Sequence, residues 1–210
     1  MSLLTMVTAG LALAGAAILV AGTVTIMVAI QRRPYQAEIA PTKGSPGQGV
    51  LYAFTLGMAP WAKESARRHW VAYLRGIVFH IIIFVGGLFL IASPWLTEFP
   101  SLLRVSLAAL FALGAALTFA GFGMRLSDPA LRRLSTPDDY FALALVTLFL
   151  ASGAASAAQI EFLPAFWAIS GITMAYVPFG KLRHFLYFFY ERAFLGLVFG
   201  SRGVLKWKHE

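Results

Sequence analysis

GIVFHIIIFVGGLFLIASPWLT, residues 76–97, runs for 22 positions without a Lys, Arg, Asp or Glu. At the rise of an α-helix it would cover about 33 Å, enough to cross the hydrocarbon of a bilayer. The run is continuously apolar, whereas a strand of a membrane barrel alternates apolar and polar positions. Residues 76–97 therefore read as a transmembrane helix, and one ionisable side chain, His80, stands inside it.

Four more stretches share this character. The spans are placed at 8–30, 76–97, 104–124, 140–160 and 163–186. The reading is an all-α integral membrane protein, a bundle of five transmembrane helices. The first apolar run has no Lys or Arg ahead of it and exceeds the length of a signal-peptide core, so it reads as a retained helix. Composition agrees. The 210 residues are 59% hydrophobic and only 12% charged, against about 25% charged in average soluble domains. Disorder is excluded by the apolar content. With no cysteine, a disulfide scaffold is excluded, as are thiolate-bound iron–sulfur clusters and covalent haem attachment on this chain.

The net charge of +8 arises from 17 basic against 9 acidic residues. Sixteen of the seventeen basic residues fall on one side of the five spans. They are Arg32, Arg33, Lys43, Lys63, Arg67, Arg68 and Arg75 in segment 31–75; Arg125, Arg132 and Arg133 between spans 3 and 4; and Lys181, Arg183, Arg192, Arg202, Lys206 and Lys208 at the end of span 5 and in the tail. The exception is Arg104. The positive-inside rule places that side in the cytoplasm, with the N-terminus outside and the C-terminus cytoplasmic. Topology accounts for the basic balance, and no nucleic-acid partner is called for.

The chain reads as a single membrane domain over 1–210. Residues 98–104 and 161–164 are tight outer turns. The cytoplasmic loop 31–75 is long for a connection. Its Pro- and Gly-rich first half reads as irregular chain. Residues 50–70 read as an interfacial or partner-docking segment broken at Pro60. The tail 187–210 contains two aromatic pieces, each too short to span, expected at the cytoplasmic interface.

Four histidines carry what chemistry the chain has: His69, His80, His184 and His209. His80 lies about 7 Å deeper than Arg75 along its helix, where ionisable side chains are rare. Span 2 runs outward and span 5 runs inward, so His80 and His184 fall in the same cytoplasmic leaflet on antiparallel helices. Two facing imidazoles are what one bis-histidine haem b requires. Arg75, Lys181 and Arg183 lie just cytoplasmic of the pair, placed to meet the two propionates. The competing reading is a pair of interfacial histidines with ordinary hydrogen bonds, and position alone leaves both open.

Two stretches resemble a known family. RGIVFHIIIFVGG (75–87) is similar to the second helix, and YVPFGKLRHFLYFF (176–189) to the end of the fifth helix, of the respiratory nitrate reductase gamma subunit family of membrane b-type cytochromes. In the second stretch a Pro-Phe-x-(Lys/Arg)-Leu-x-His motif, here Pro178 to His184, supplies a haem ligand in that family. The quoted motifs cover about 25 residues, and the five-span, N-out topology is similar over most of the chain.

The resemblance implies iron held by His80 and His184. Gly87, seven residues past His80 and on its face, is the candidate for porphyrin or close helix contact. It also implies a membrane quinone as substrate and a cytoplasmic iron–sulfur or other redox subunit as partner. The complex would be a respiratory oxidoreductase in a bacterial or archaeal cytoplasmic membrane, with this chain as its electron-transfer subunit. Two-haem members carry a second pair of ligands; the matching positions here are Leu90 and Phe166, so a single-haem variant is expected. His69, on the face of His80 but outside the hydrocarbon, and Tyr73 are candidates for the quinone site. The alternative is a haem-free membrane anchor that docks a cytoplasmic redox enzyme.

Overall fold

The computed structural model describes residues 2–34, 41–62, 64 and 68–205. Lys63, Arg67, Lys206, Lys208 and His209, used in the sequence reading, lie outside the described residues. Among the described residues all regular structure is helical. The helices are α1 (Leu3–Gln31), α2 (Pro46–Phe54), α3 (Trp70–Ala92), α4 (Ser101–Ser127), α5 (Pro129–Leu134), α6 (Pro137–Ala158), α7 (Leu163–Tyr176) and α8 (His184–Ser201). Short 3-10 turns stand at Leu56–Met58, Pro60–Ala62, Ser93–Glu98, Ile160–Phe162 and Lys181–Arg183.

Four helices are long and apolar enough to cross a membrane: Leu3–Gln31, Tyr73–Glu98, Ser101–Ser127 and Pro137–Ala158. The broken pair from Ile160 to Ser201 makes a fifth if it counts as one span. The chain is thus an all-helical membrane protein. The expected helix over 163–186 is interrupted. α7 ends at Tyr176, and its 14 residues reach about 21 Å, short of the hydrocarbon thickness. Pro178 has no N–H to continue the ladder. The N–H groups of Phe179 and Gly180 both turn back to the Tyr176 carbonyl, at 3.0 and 3.1 Å. Beyond the break, α8 is one continuous helix of 18 residues, where the sequence suggested two short pieces.

The chain divides into two compact units. The first comprises Met1–Ile26 and Arg75–Leu182, the second Met27–Leu74 and Arg183–Glu210.

The core of the first unit lies among α3, α4, α6 and α7. Ile82, Phe89, Phe111, Leu150, Phe166 and Trp167 are buried together. The Phe89 ring lies 5.2 Å from Phe111 and 5.3 Å from Phe166 between centroids. Ser170 Oγ in this interior has no hydrogen-bond partner among the described residues, but Trp167 and Ser93 satisfy each other. The Trp167 indole N–H donates to Ser93 Oγ at 2.8 Å, and the Ser93 hydroxyl donates to the Leu90 carbonyl at 2.7 Å. α1 crosses α7 at backbone distance. A Cβ built on Gly15 would lie 2.1 Å from the Gly171 carbonyl oxygen. Small residues permit this approach between membrane helices. Most of the rest of α1 is exposed, including Leu3, Leu13 and Val20.

Arg104, the one basic residue on the other side in the sequence reading, has a structural task. Its Nε and Nη2 donate to the carbonyls of Ala157 and Ala158, at 3.1 and 3.0 Å. These carbonyls end α6, where a helix has orphan acceptors and a negative dipole end. Arg104→Met leaves them unpaired, and we expect a loss of about 1–2 kcal/mol of stability. Comparison of denaturation midpoints checks this.

In the second unit, α2 lies against α8. Ser45 caps α2, accepting the Gln48 N–H, and Pro46 takes the first turn, the position where its missing N–H costs nothing. A Cβ on Gly49 would lie 2.1 Å from the Gly196 carbonyl oxygen, and one on Gly200 would lie 2.7 Å from Gly49 Cα. The N–H groups of Lys43 and Gly44 donate to the Ser201 carbonyl at 2.8 and 2.9 Å, filling an orphan acceptor at the end of α8. Phe54 meets Phe188 edge-on and stacks with Phe189, each at 6.4 Å. The Arg192 guanidinium lies 5.6 Å over the Phe188 ring, within cation–π range. The segment 31–75 is therefore not a plain loop, since part of it folds with the tail.

Candidate functional site

His80 occupies the third turn of α3 and is exposed, on the helix face that also carries Gly76 and Gly87. The positions follow from helical spacing, at four and seven residues from His80. The His80 Nδ1 lies 2.6 Å from the Gly76 carbonyl oxygen. A carbonyl only accepts, so Nδ1 carries a proton, and in the neutral ring the lone pair is then on Nε2. That tautomer is the one in which a histidine offers Nε2 to a metal while a backbone group orients the ring.

The glycines of this face are open. A Cβ at Gly76 or Gly87 would meet nothing within 4 Å, whereas one at Gly86, on the inward face, would lie 2.9 Å from the Phe149 ring. Gly87 therefore makes no close helix contact among the described residues. The His80 face is thus open at both glycines.

Arg75 starts α3's part of the first unit, and its Nη1 lies 2.8 Å from Met124 Sδ on α4. Thioether sulfur is a weak acceptor, so this contact places the guanidinium without neutralising it. Lys181 forms an ion pair with Asp139 at 3.6 Å. The pair belongs to a larger clasp. Tyr176 Oη donates to the Asp138 carboxylate and accepts the Lys181 N–H at 3.2 Å. The Asp139 carboxylate accepts from both the backbone N–H and the hydroxyl of Thr136, each at 2.8 Å. The break after α7 is thus tied to the N-terminus of α6.

Gly180 completes the clasp, because a Cβ there would lie 1.9 Å from the Tyr176 ring. Gly180→Ala is expected to displace the ring from Asp138 and open the turn. Faster amide hydrogen exchange at residues 179–181 reports it, while exchange in the middle of α6 stays unchanged.

The remaining predicted residues belong to the second unit. His184 opens α8 and Arg183 precedes it; both are exposed. His69 is exposed, and its carbonyl accepts the Tyr73 N–H at 3.0 Å. The Tyr73 hydroxyl donates to the Met58 carbonyl. That bond ties the start of α3 to the turn at Leu56–Met58. Phe166, matched above to a second-haem ligand, is 1% exposed within the aromatic core, and Leu90 packs against the same cluster. Among the described residues, no three His, Asp or Glu side chains form a metal-binding group.

Sequence reading missed three participants: the Gly76 carbonyl, Met124, and the pair Tyr176–Asp138. Only the first had a sequence signal, the helical step of four residues back from His80. The chain matches no protein-family model, no curated protein and no solved structure. The likeness to the nitrate reductase gamma subunit family accordingly rests on the two stretches quoted above.

Proposed function

We propose that this chain is the haem b-bearing membrane subunit of a respiratory oxidoreductase complex. It passes electrons between a membrane quinone and a redox partner subunit at the cytoplasmic face. The observation that carries this reading is the state of His80. It is an ionisable residue on a membrane helix, with its Nδ1 held by the Gly76 carbonyl and open glycines at both ends of its face. The Gly76 carbonyl orients the ring with Nδ1 as donor, and that tautomer suits ligation of an iron atom through Nε2.

His80 and His184 are the proposed axial ligands, and Arg75 and Arg183 the cations for the propionates. Lys181 is already paired with Asp139, so its part is to hold the break after α7. When bound, the haem supplies a one-electron store. The chain itself holds the ligand rings, excludes water with its apolar helices, and offers basic side chains at one membrane face. Five spans, an external N-terminus and a bacterial or archaeal cytoplasmic membrane belong to the same proposal. With no cysteine in the chain, the next carrier has to sit on the partner, an iron–sulfur subunit in this reading.

The haem-free anchor has its own support. Lys181 and Tyr73 are both engaged in contacts that hold the chain together, a purely structural use of two residues assigned to cofactor and quinone. Addition of duroquinol to the purified protein separates the two readings. Quinol-dependent appearance of a b-type absorption band is expected. A protein whose spectrum responds to dithionite but never to quinol has no electron-transfer role with quinone.

A further inference from the structure

The connection between α4 and α6 has features of a binding surface that none of the redox chemistry uses. It consists of Asp128, the helix α5 and the pair Ser135–Thr136. Its polar groups are nearly all committed. Asp128 Oδ1 accepts the N–H groups of Ala130 and Leu131, at 2.7 and 3.3 Å. Ser135 Oγ donates to the Leu131 carbonyl at 2.7 Å and accepts from Arg125 Nη1 at 2.8 Å. The nearby carboxylates are also engaged: Asp138 with Tyr176, Asp139 with Thr136 and Lys181.

Two side chains are left over. Arg132 and Arg133 are exposed, and neither has an ion-pair or hydrogen-bond partner among the described residues. Leu134, the next residue, is 78% exposed, and the last turn of α4 exposes Met124 and Leu126. α4 and α6 are both long and apolar enough to span the membrane. The nine-residue link between them therefore sits where lipid headgroups are.

We infer that Arg132 and Arg133 form a site for the phosphate of an anionic phospholipid. Adjacent guanidinium forks suit phosphate oxygens. The exposed leucine beside them suits the boundary between headgroup and acyl chain. An acidic polypeptide would satisfy the charge but not the apolar neighbours at this depth, so lipid is the occupant favoured. Polybasic contacts to an anionic leaflet strengthen binding by about fivefold per residue.

Native mass spectrometry of the full chain in detergent tests this, with dioleoyl phosphatidylglycerol or dioleoyl phosphatidylcholine added at equal concentration. The wild type is expected to retain phosphatidylglycerol in preference, and R132Q/R133Q to lose that preference by about tenfold or more. R132K/R133K, which keeps charge but not the fork, is expected to fall between them. Equal retention of the two lipids by the wild type overturns the inference, as does undiminished retention by R132Q/R133Q. Displacement of the lipid by millimolar inorganic phosphate would assign the site to free phosphate instead. Loss of lipid preference only when an acidic protein co-purifies would assign it to a protein partner.

Discussion

His80→Ala and His184→Ala are each expected to remove the b-type absorption band from the purified protein, with loss of nearly all bound haem. The two substitutions act on ligands that a single iron needs together. Bis-histidine ligation needs both rings. No cysteine exists in the chain, and among the described residues no three His, Asp or Glu side chains form a metal-binding group. The fold should tolerate both changes, because His80 and His184 are exposed positions rather than core. Helix content by circular dichroism is therefore expected to stay close to wild type. Gly87→Leu is expected to weaken haem retention without lowering stability, since a Cβ there meets nothing within 4 Å among the described residues. Should His69→Ala abolish the band while His80→Ala keeps it, the ligand assignment is wrong.

The second large effect lies far from the histidines. Gly171→Val is expected to break the crossing of α1 with α7. A Cβ at Gly171 would lie 2.4 Å from the Leu11 carbonyl oxygen and 3.0 Å from Ala12 N. Both are backbone atoms and cannot rotate away as a side chain would. Overpacking in a tight core costs about 1–3 kcal/mol. A branched side chain against backbone belongs at or above the upper end of that range. SDS-titration midpoints against wild type measure it. Gly10→Val on the same α1 is the control, since nothing lies within 4 Å of its Cβ position, and it should shift the midpoint little. Equal shifts for the two variants would mean that the crossing contributes nothing to stability.

Several elements were legible because membrane solvation leaves few options. Uncharged runs of helix length placed α1, α3, α4 and α6, each to within a few residues at most ends. His80 was legible as an anomaly, a single ionisable group in 22 apolar positions. The break after Tyr176 was harder to see. Pro178 stood in the segment, but membrane helices often tolerate proline, and what holds this break is a tyrosine reaching an aspartate 38 residues earlier. No local pattern encodes that bond.

The second unit was missed for a similar reason. Gly44, Gly49, Gly196 and Gly200 are scattered over two distant segments, and only their backbone contacts make them a set. Ser45 followed by Pro46 did carry a helix-start signal, which the glycine-rich setting obscured. Arg104 is a different case. The charge pattern marked it as the exception, and its reason, two carbonyls at the end of α6, lies in the neighbouring hairpin. Lys181 shows the limit of reading position as role. Its position suggested a partner for a haem propionate, and the structure pairs it with Asp139 at 3.6 Å.

The central claim is that this membrane chain holds one haem b. A reduced-minus-oxidised spectrum of the purified protein, with haem extracted and counted per chain, tests it most directly. We predict a b-type α band and one haem per chain. A flat difference spectrum with no extractable haem would contradict the claim and leave the chain as an anchor.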